Sequence, residues 1–296
     1  VSQGATAHET PFDPAHQTLT TPRVINGILA RHGLRADKGF GQHFLIDPTV
    51  VAAVVAAAGV GVDDEVWEVG PGLGVLTRAL AATARRVVTI ELDARLLPVL
   101  DETLADANNV AIRHGDAVRV DWSEAPPGSR FAANLPYNVG TAVLVRALTS
   151  SRFTRLGVLL QREVAERVVA TAGTPAYGSL SLLIAHHGRA RITRRVAPGA
   201  FMPPPAVTSA VVAIDVDPDA RPDPTTFALI RAGFRHRRKT LLSNFRLAGL
   251  EVEVVRTALA DLGLPPAVRA EALDLATFRA LAMRVPTPAV PDGMST

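Results

Sequence analysis

The sequence predicts a largely parallel, doubly wound α/β sheet with helices on both faces, followed by a small all-helical domain. Three observations predict it. The stretch EVWEVGPGLG, residues 65–74, reads as an apolar strand running into a glycine turn, and the helix formers VLTRALAA follow directly. Acidic residues stand at the carboxyl ends of three successive strand patterns, as Glu68, Glu91 and Asp116. Beyond the polar, proline-rich DPDARPDP of residues 217–224, strand patterning gives way to helical patterning.

The chain has 296 residues, 48% of them hydrophobic, which suits one large or two modest domains with a substantial core. No apolar run matches a membrane span and no basic-then-apolar signal layout opens the chain, so a cytoplasmic protein without membrane contact is expected. With no cysteine, disulfides, thiolate nucleophiles and thiolate metal sites are excluded, and no metal is expected. The net charge of +3 is modest, and its distribution is more telling than its size.

Residues 1–20 are polar and aperiodic, a flexible leader. Residues 22–32 carry apolar side chains at helical spacing after a Thr-Pro start, and Gly33 closes that helix. KGFGQHFLID, residues 38–47, reads either as a hydrophobic flap on the core or as a lid over a ligand, with Gln42 and His43 as hydrogen-bonding groups and Phe44 or Leu45 as the apolar wall. A helix over 48–58 follows.

At the glycine turn, Gly70, Gly72 and Gly74 are spaced G-x-G-x-G, and Val75 stands where a dinucleotide fingerprint needs its third glycine. Glu68 before the turn disfavours a pyrophosphate and favours a cationic ligand. S-adenosylmethionine, with a sulfonium and an ammonium, fits; a ligand-free tight turn is the alternative. Glu91 closes the second strand, 86–92, about 20 residues beyond the turn, where an acid meets the ribose of a bound nucleoside; Asp93 is the neighbouring candidate. A helix is expected over 94–106. Asp116, after the strand 110–114, is placed to accept from an adenine amino group.

The fourth strand, 130–133, ends in Asn134-Leu135-Pro136-Tyr137. An adenine exocyclic amine is a poor nucleophile because its lone pair is delocalised into the ring. The Asn134 amide oxygen and the Leu135 carbonyl can accept its two N–H groups, Pro136 stiffens the turn, and Tyr137 offers a ring on which the base stacks. A strand over 153–160, a helix over 161–170, further strands over 177–187 and 189–196, the FMPPP turn at Phe201 and a strand over 210–216 complete the sheet. Helices are expected over 225–234, from there through Arg246, over 252–262 and over 274–284. Arg235, Arg237, Arg238, Lys239 and Arg246 come with no acid between them, which fits either a solvated surface or a phosphate-binding one.

In this order, GQHFLID, EVGPGLG, IELD, GDA, NLPYN, QREVAERV, TPAYGSLS, FMPPPAVTSAVV and FRHRRKTL closely resemble the small-subunit ribosomal RNA adenine dimethyltransferases of the KsgA/RsmA type, across residues 22–285. The resemblance implies a class I, Rossmann-like S-adenosylmethionine-dependent methyltransferase fold over 21–217, a helical RNA-binding domain over 218–285 and a flexible tail over 286–296. It implies that His43, Leu45, Gly70, Glu91, Asp116 and Asn134 line the S-adenosyl-L-methionine site, to which the reading of the turn itself adds Glu68 and Gly72. His43 departs from the Asn common in the family. Phe201 is implied to close on the target adenine opposite Tyr137, although a core phenylalanine before a proline turn reads the same. The implied activity is dimethylation of N6 on two adjacent adenosines near the 3′ end of 16S rRNA, within an immature 30S subunit; with no heptad pattern in the sequence, a monomer is expected. The alternatives are a 23S rRNA methyltransferase of the macrolide-resistance type and an assembly factor that acts mainly by binding.

Overall fold

The structure is a computed structural model, and it describes residues 18–36 and 42–288. Most of the leader, the first part of the lid at 38–41 and the end of the tail lie outside these residues. The chain forms two compact units. One holds the described residues up to Ala165 together with Arg191–Val216; the other holds Glu166–Ala190 and the described residues from Asp217 on. Residues 166–190 thus group with the helical unit, where a single boundary at 217/218 is what the composition suggests.

A seven-stranded sheet in the order β4-β3-β2-β5-β6-β9-β7 organises the first unit. Its strands are β2 (Glu65–Val69), β3 (Arg86–Glu91), β4 (Val110–His114), β5 (Ser129–Asn134), β6 (Phe153–Gln161), β7 (Gly188–Val196) and β9 (Ser209–Val216). β2 pairs in parallel with both β3 and β5, β3 with β4 and β5 with β6, whereas β9 runs antiparallel to β6. The strand order therefore reverses between β2 and β5, the switch point at which open sheets bind ligands beyond their carboxyl ends. A short antiparallel ribbon joins β1 (Phe44–Leu45) to β8 (Phe201–Met202).

The flanking helices are α1 (Pro22–Arg31), α2 (Pro48–Ala58), α3 (Val75–Ala81), α4 (Leu97–Thr103) and α5 (Gly140–Thr149). α2 starts where the Asp47 side chain accepts from the Thr49 and Val50 N–H groups, and it ends at Gly59 in the left-handed region. Val54 and Ala58 of α2 pack in one core with Val66, Leu80, Val87, Ala132 and Val211. Ile25, Ile28, Phe44, Leu73 and Val99 form another. Trp122 meets Trp67, Phe131 and Phe153 edge-on, at centroid distances of 5.9, 5.8 and 5.6 Å.

The second unit has its own core of Leu182, Leu229, Phe245, Val255 and Phe278. The second half of α6 (Arg162–Val169) belongs to this unit, with α7 (Ser179–His187), α8 (Pro224–Phe234), α9 (Leu241–Leu247), α10 (Val252–Asp261) and α11 (Leu275–Ala282). The strand expected over 177–187 is thus a helix from Ser179 onward. SLSLL alternates like a strand, but Ser181 Oγ accepts from the Gly178 N–H at 3.2 Å, the reach-back bond that starts a helix. The helix expected from 235 through Arg246 is instead a turn followed by α9, which Thr240 caps by accepting from the Ser243 N–H.

Candidate active site

At the switch point the β2–α3 turn is made of Gly70, Gly72 and Gly74, with φ of 68°, 59° and 82°. Side chains there would be strained, and a Cβ on Gly72 would come within 3.1 Å of the Phe44 ring. The three glycine N–H groups are already engaged, by the Ile90 carbonyl, the Glu91 carboxylate and the Pro71 carbonyl. A phosphate-binding nest needs such N–H groups turned toward the ligand, so this turn is unsuited to a pyrophosphate.

The turn forms one wall of a cavity of about 520 Å³, within the range of small-molecule sites. Gln42, His43, Phe44 and Leu45 line it from the lid, Gly70 and Gly72 from the turn, Glu91 from β3, Asp116 after β4, and Asn134, Leu135, Pro136 and Tyr137 after β5. Five loops and strand ends far apart in the chain thus meet around one cavity.

Glu91 is held by two backbone donors, Gly72 N–H at 3.3 Å and Asp93 N–H at 2.8 Å. Burial raises its pKa, opposed by those bonds. Asp93, the neighbouring candidate, is committed elsewhere: it accepts from Arg95 and from Gln42 Nε2 at 3.0 Å, and its pKa is lowered chiefly by the Arg95 bond. Asp116 accepts from the Val118 N–H at 2.9 Å and lies 3.6 Å from Arg119, which also lines the cavity. Nothing in the sequence singled out Arg119, an exposed base three residues after an acid.

Asn134 donates Nδ2 to the His43 carbonyl at 3.2 Å, which turns its amide oxygen away from the lid. The Tyr137 hydroxyl meets Ser209 Oγ at 3.0 Å, and its ring lies 5.3 Å from the His43 ring with 30° between the planes.

Two expected site residues are placed elsewhere. Glu68 is 1% exposed and accepts from Thr77 Oγ1 of α3 at 2.6 Å, so it stands beneath the turn and not at its mouth. Burial pushes its carboxyl up to about 7. Phe201 is 2% exposed and packs in the core with Leu45 and Val211, paired through β8 with Leu45, so it does not line the cavity. The ring beside Tyr137 is that of His43.

The family profile described as ribosomal RNA adenine dimethylase matches residues 33–273. The chain belongs to the ribosomal RNA adenine dimethylase family. Proteins named ribosomal RNA small subunit methyltransferase A are similar along nearly their whole length. The one from Deinococcus radiodurans is 43% identical over 270 residues, covering 91% of this chain and 92% of its own, and the one from Paracoccus denitrificans is 43% identical over 268 residues, covering 87% and 94%. The fold is also that of a dimethyladenosine transferase from Plasmodium falciparum, with a TM-score of 0.68 at 24% identity over 81% of this chain and 96% of that one. The 23S rRNA methyltransferase ErmE shares the fold as well, with a TM-score of 0.65 at 22% identity over 82% and 99%. This family member is therefore an rRNA-modifying methyltransferase with a class I fold. Among its described residues no helix is long and apolar enough to cross a membrane.

In the second unit Arg235, Arg238, Lys239 and Arg246 are exposed at the end of α8, in the turn that follows it and at the end of α9. Arg237 is exposed as well, but it is also engaged. Its Nη2 donates to the Pro175 carbonyl at 2.8 Å and the Tyr177 carbonyl at 3.1 Å, and it lies 3.8 Å from Glu271.

Proposed function

We propose that this enzyme transfers methyl groups from S-adenosyl-L-methionine to N6 of two adjacent adenosines near the 3′ end of 16S rRNA, in an immature 30S subunit, as a cytoplasmic monomer. The observation that carries the reading is the Asn134 amide, held by the His43 carbonyl on the wall of a cavity whose other wall is the glycine turn and Glu91. The residues fit the cofactor. Glycines leave room where a Cβ would meet Phe44, the three glycine N–H groups are already engaged, and Glu91 and Asp116 can accept from ribose hydroxyls and an adenine amine. When bound, S-adenosylmethionine supplies an electrophilic methyl on a sulfonium.

Asn134 Oδ1 and the Leu135 carbonyl accept the two N–H groups of the target amine, which draws its lone pair out of the ring and fixes its direction. The Tyr137 ring holds the base, which must first leave its stack. No strong base is required, because an N-methylated adenine ammonium is acidic and loses its proton to water. Glu68, from its buried place, holds α3 against the turn through Thr77. Arg235, Arg238, Lys239 and Arg246 meet RNA phosphates. The relatives named for the small subunit support this target, whereas the likeness to ErmE is one of fold.

Radiolabelled S-adenosylmethionine offered in parallel to unmodified small and large subunits, with nucleoside analysis, tests the reading. Dimethyladenosine in the small subunit alone is expected. Label in the large subunit overturns the target, and binding to small subunits without label overturns the chemistry.

A further inference from the structure

With Phe201 in the core, the FMPPPAVTS segment contributes no ring to the cavity. Besides the ribbon of β8 with β1, it meets the cavity wall through two polar atoms. The Pro203 carbonyl, which can only accept, takes the proton of His43 Nδ1 at 2.8 Å, and the Ser209 hydroxyl meets that of Tyr137 at 3.0 Å. His43 and Tyr137 are the two rings in mutual contact on that wall. One segment therefore holds both from behind.

The two anchors differ in rigidity from what they hold. Ser209 opens β9, where it pairs with Gln161 of β6 and is 1% exposed. Tyr137 lies on the loop between β5 and α5, half-buried, where its ring meets that of His43 and its hydroxyl bonds Ser209. A base stacked on that ring takes its orientation from the ring, and the direction of its N6 lone pair follows.

We propose that Ser209 is a positioning residue for methyl transfer: its hydrogen bond fixes the Tyr137 ring plane against which the target adenine stacks. The proposal rests on the reading of Tyr137 as the platform for the base. A displacement of the reacting atoms by a fraction of an ångström lowers turnover without weakening either substrate. A role confined to satisfying a buried hydroxyl would lower stability and leave turnover unchanged.

The test is initial-rate methylation of unmodified small subunits by Ser209→Ala, Tyr137→Phe, the double variant, Ser209→Thr and Tyr137→Ala, with cofactor titration calorimetry on each. Ser209→Ala is expected to lower kcat about threefold to tenfold, the range one hydrogen bond spans. KM for the subunit and cofactor affinity stay within about twofold, the interval over which a change in binding is below one hydrogen bond. Tyr137→Phe falls by the same factor, the double variant no further, and Ser209→Thr recovers most of the loss. Wild-type kcat in Ser209→Ala, additive losses in the double variant, or a loss of cofactor affinity overturns the proposal. If Ser209→Ala does not fold, Tyr137→Phe and Ser209→Thr carry the same comparison. Full turnover in Tyr137→Ala overturns the platform reading itself, whereas an inactive Tyr137→Ala beside a fully active Ser209→Ala overturns only the role of Ser209.

Discussion

Asn134 and Glu68 are both polar residues at strand ends, and the structure separates them by what each faces. Asn134 faces the cavity, oriented by the His43 carbonyl. Asn134→Ala is expected to lower turnover at least about 100-fold, as loss of a group aligned with the reacting atoms does, while cofactor affinity measured by calorimetry changes little. Turnover near wild type would remove Asn134 from the chemistry. Glu68 faces α3, and its carboxyl is raised to about 7 from 4.5 by burial. The folded state therefore binds a proton that the unfolded state has lost between these values, so stability falls as pH rises from about 4.5 through about 7. The effect reaches at most about 3 kcal/mol. Glu68→Gln should flatten that slope in denaturant titrations at pH 5 and pH 8 and raise stability at pH 8; an unchanged slope would place the proton elsewhere. That Glu68 lies beneath the turn was not legible in the sequence, because VWEV reads alike whichever side its acid takes. The acids Glu91 and Asp116 were legible, since strand ends at a switch point face one cavity whatever the packing below.

At the scale of elements, the strands of the parallel sheet announce themselves as short, predominantly apolar runs rich in β-branched and aromatic residues. What the pattern does not carry is how closely elements approach. Gly157 in β6 looks like an interruption in FTRLGVLL, yet a Cβ there would stand 2.3 Å from Ala58 N and 2.6 Å from the Val54 carbonyl. Both contacts are backbone atoms of α2, which no rotamer change can relieve. Gly157→Ala should cost on the order of 3 kcal/mol as α2 is forced off the sheet, read as a lowered denaturant midpoint. A midpoint equal to the wild type's would mean that α2 shifts freely. α7 makes the complementary point. SLSLL has period two, so a strand is the natural expectation, and the helix wins through a single serine bond at its start and through burial of Leu182 and Ile184.

For the whole molecule, the change of pattern at residue 217 marks where the sheet ends, but membership of a unit depends on which core a segment joins. Tyr177 joins the second core, with its hydroxyl donating to the Leu273 carbonyl at 2.9 Å, and no local pattern records a partner 96 residues away. The same limit applies to the basic run. Five cations look equivalent in sequence and all five are exposed, but Arg237 also bonds the carbonyls on either side of Ala176. Charge on the surface acts through counterion release, at about 0.7 to 0.9 of a unit of salt dependence per phosphate neutralised. Arg238→Ala with Lys239→Ala should therefore lower the slope of log affinity against log salt for small-subunit binding by about 1 to 2, with the melting temperature unchanged. Arg237→Ala should do the reverse. Its loss leaves two carbonyls without their donor and costs on the order of 1 kcal/mol, with a salt slope close to wild type. Equal slopes in all variants would move the RNA contact off this surface. A slope lost with Arg237 alone would mean that the loop it holds, and not the other cations, meets the phosphates.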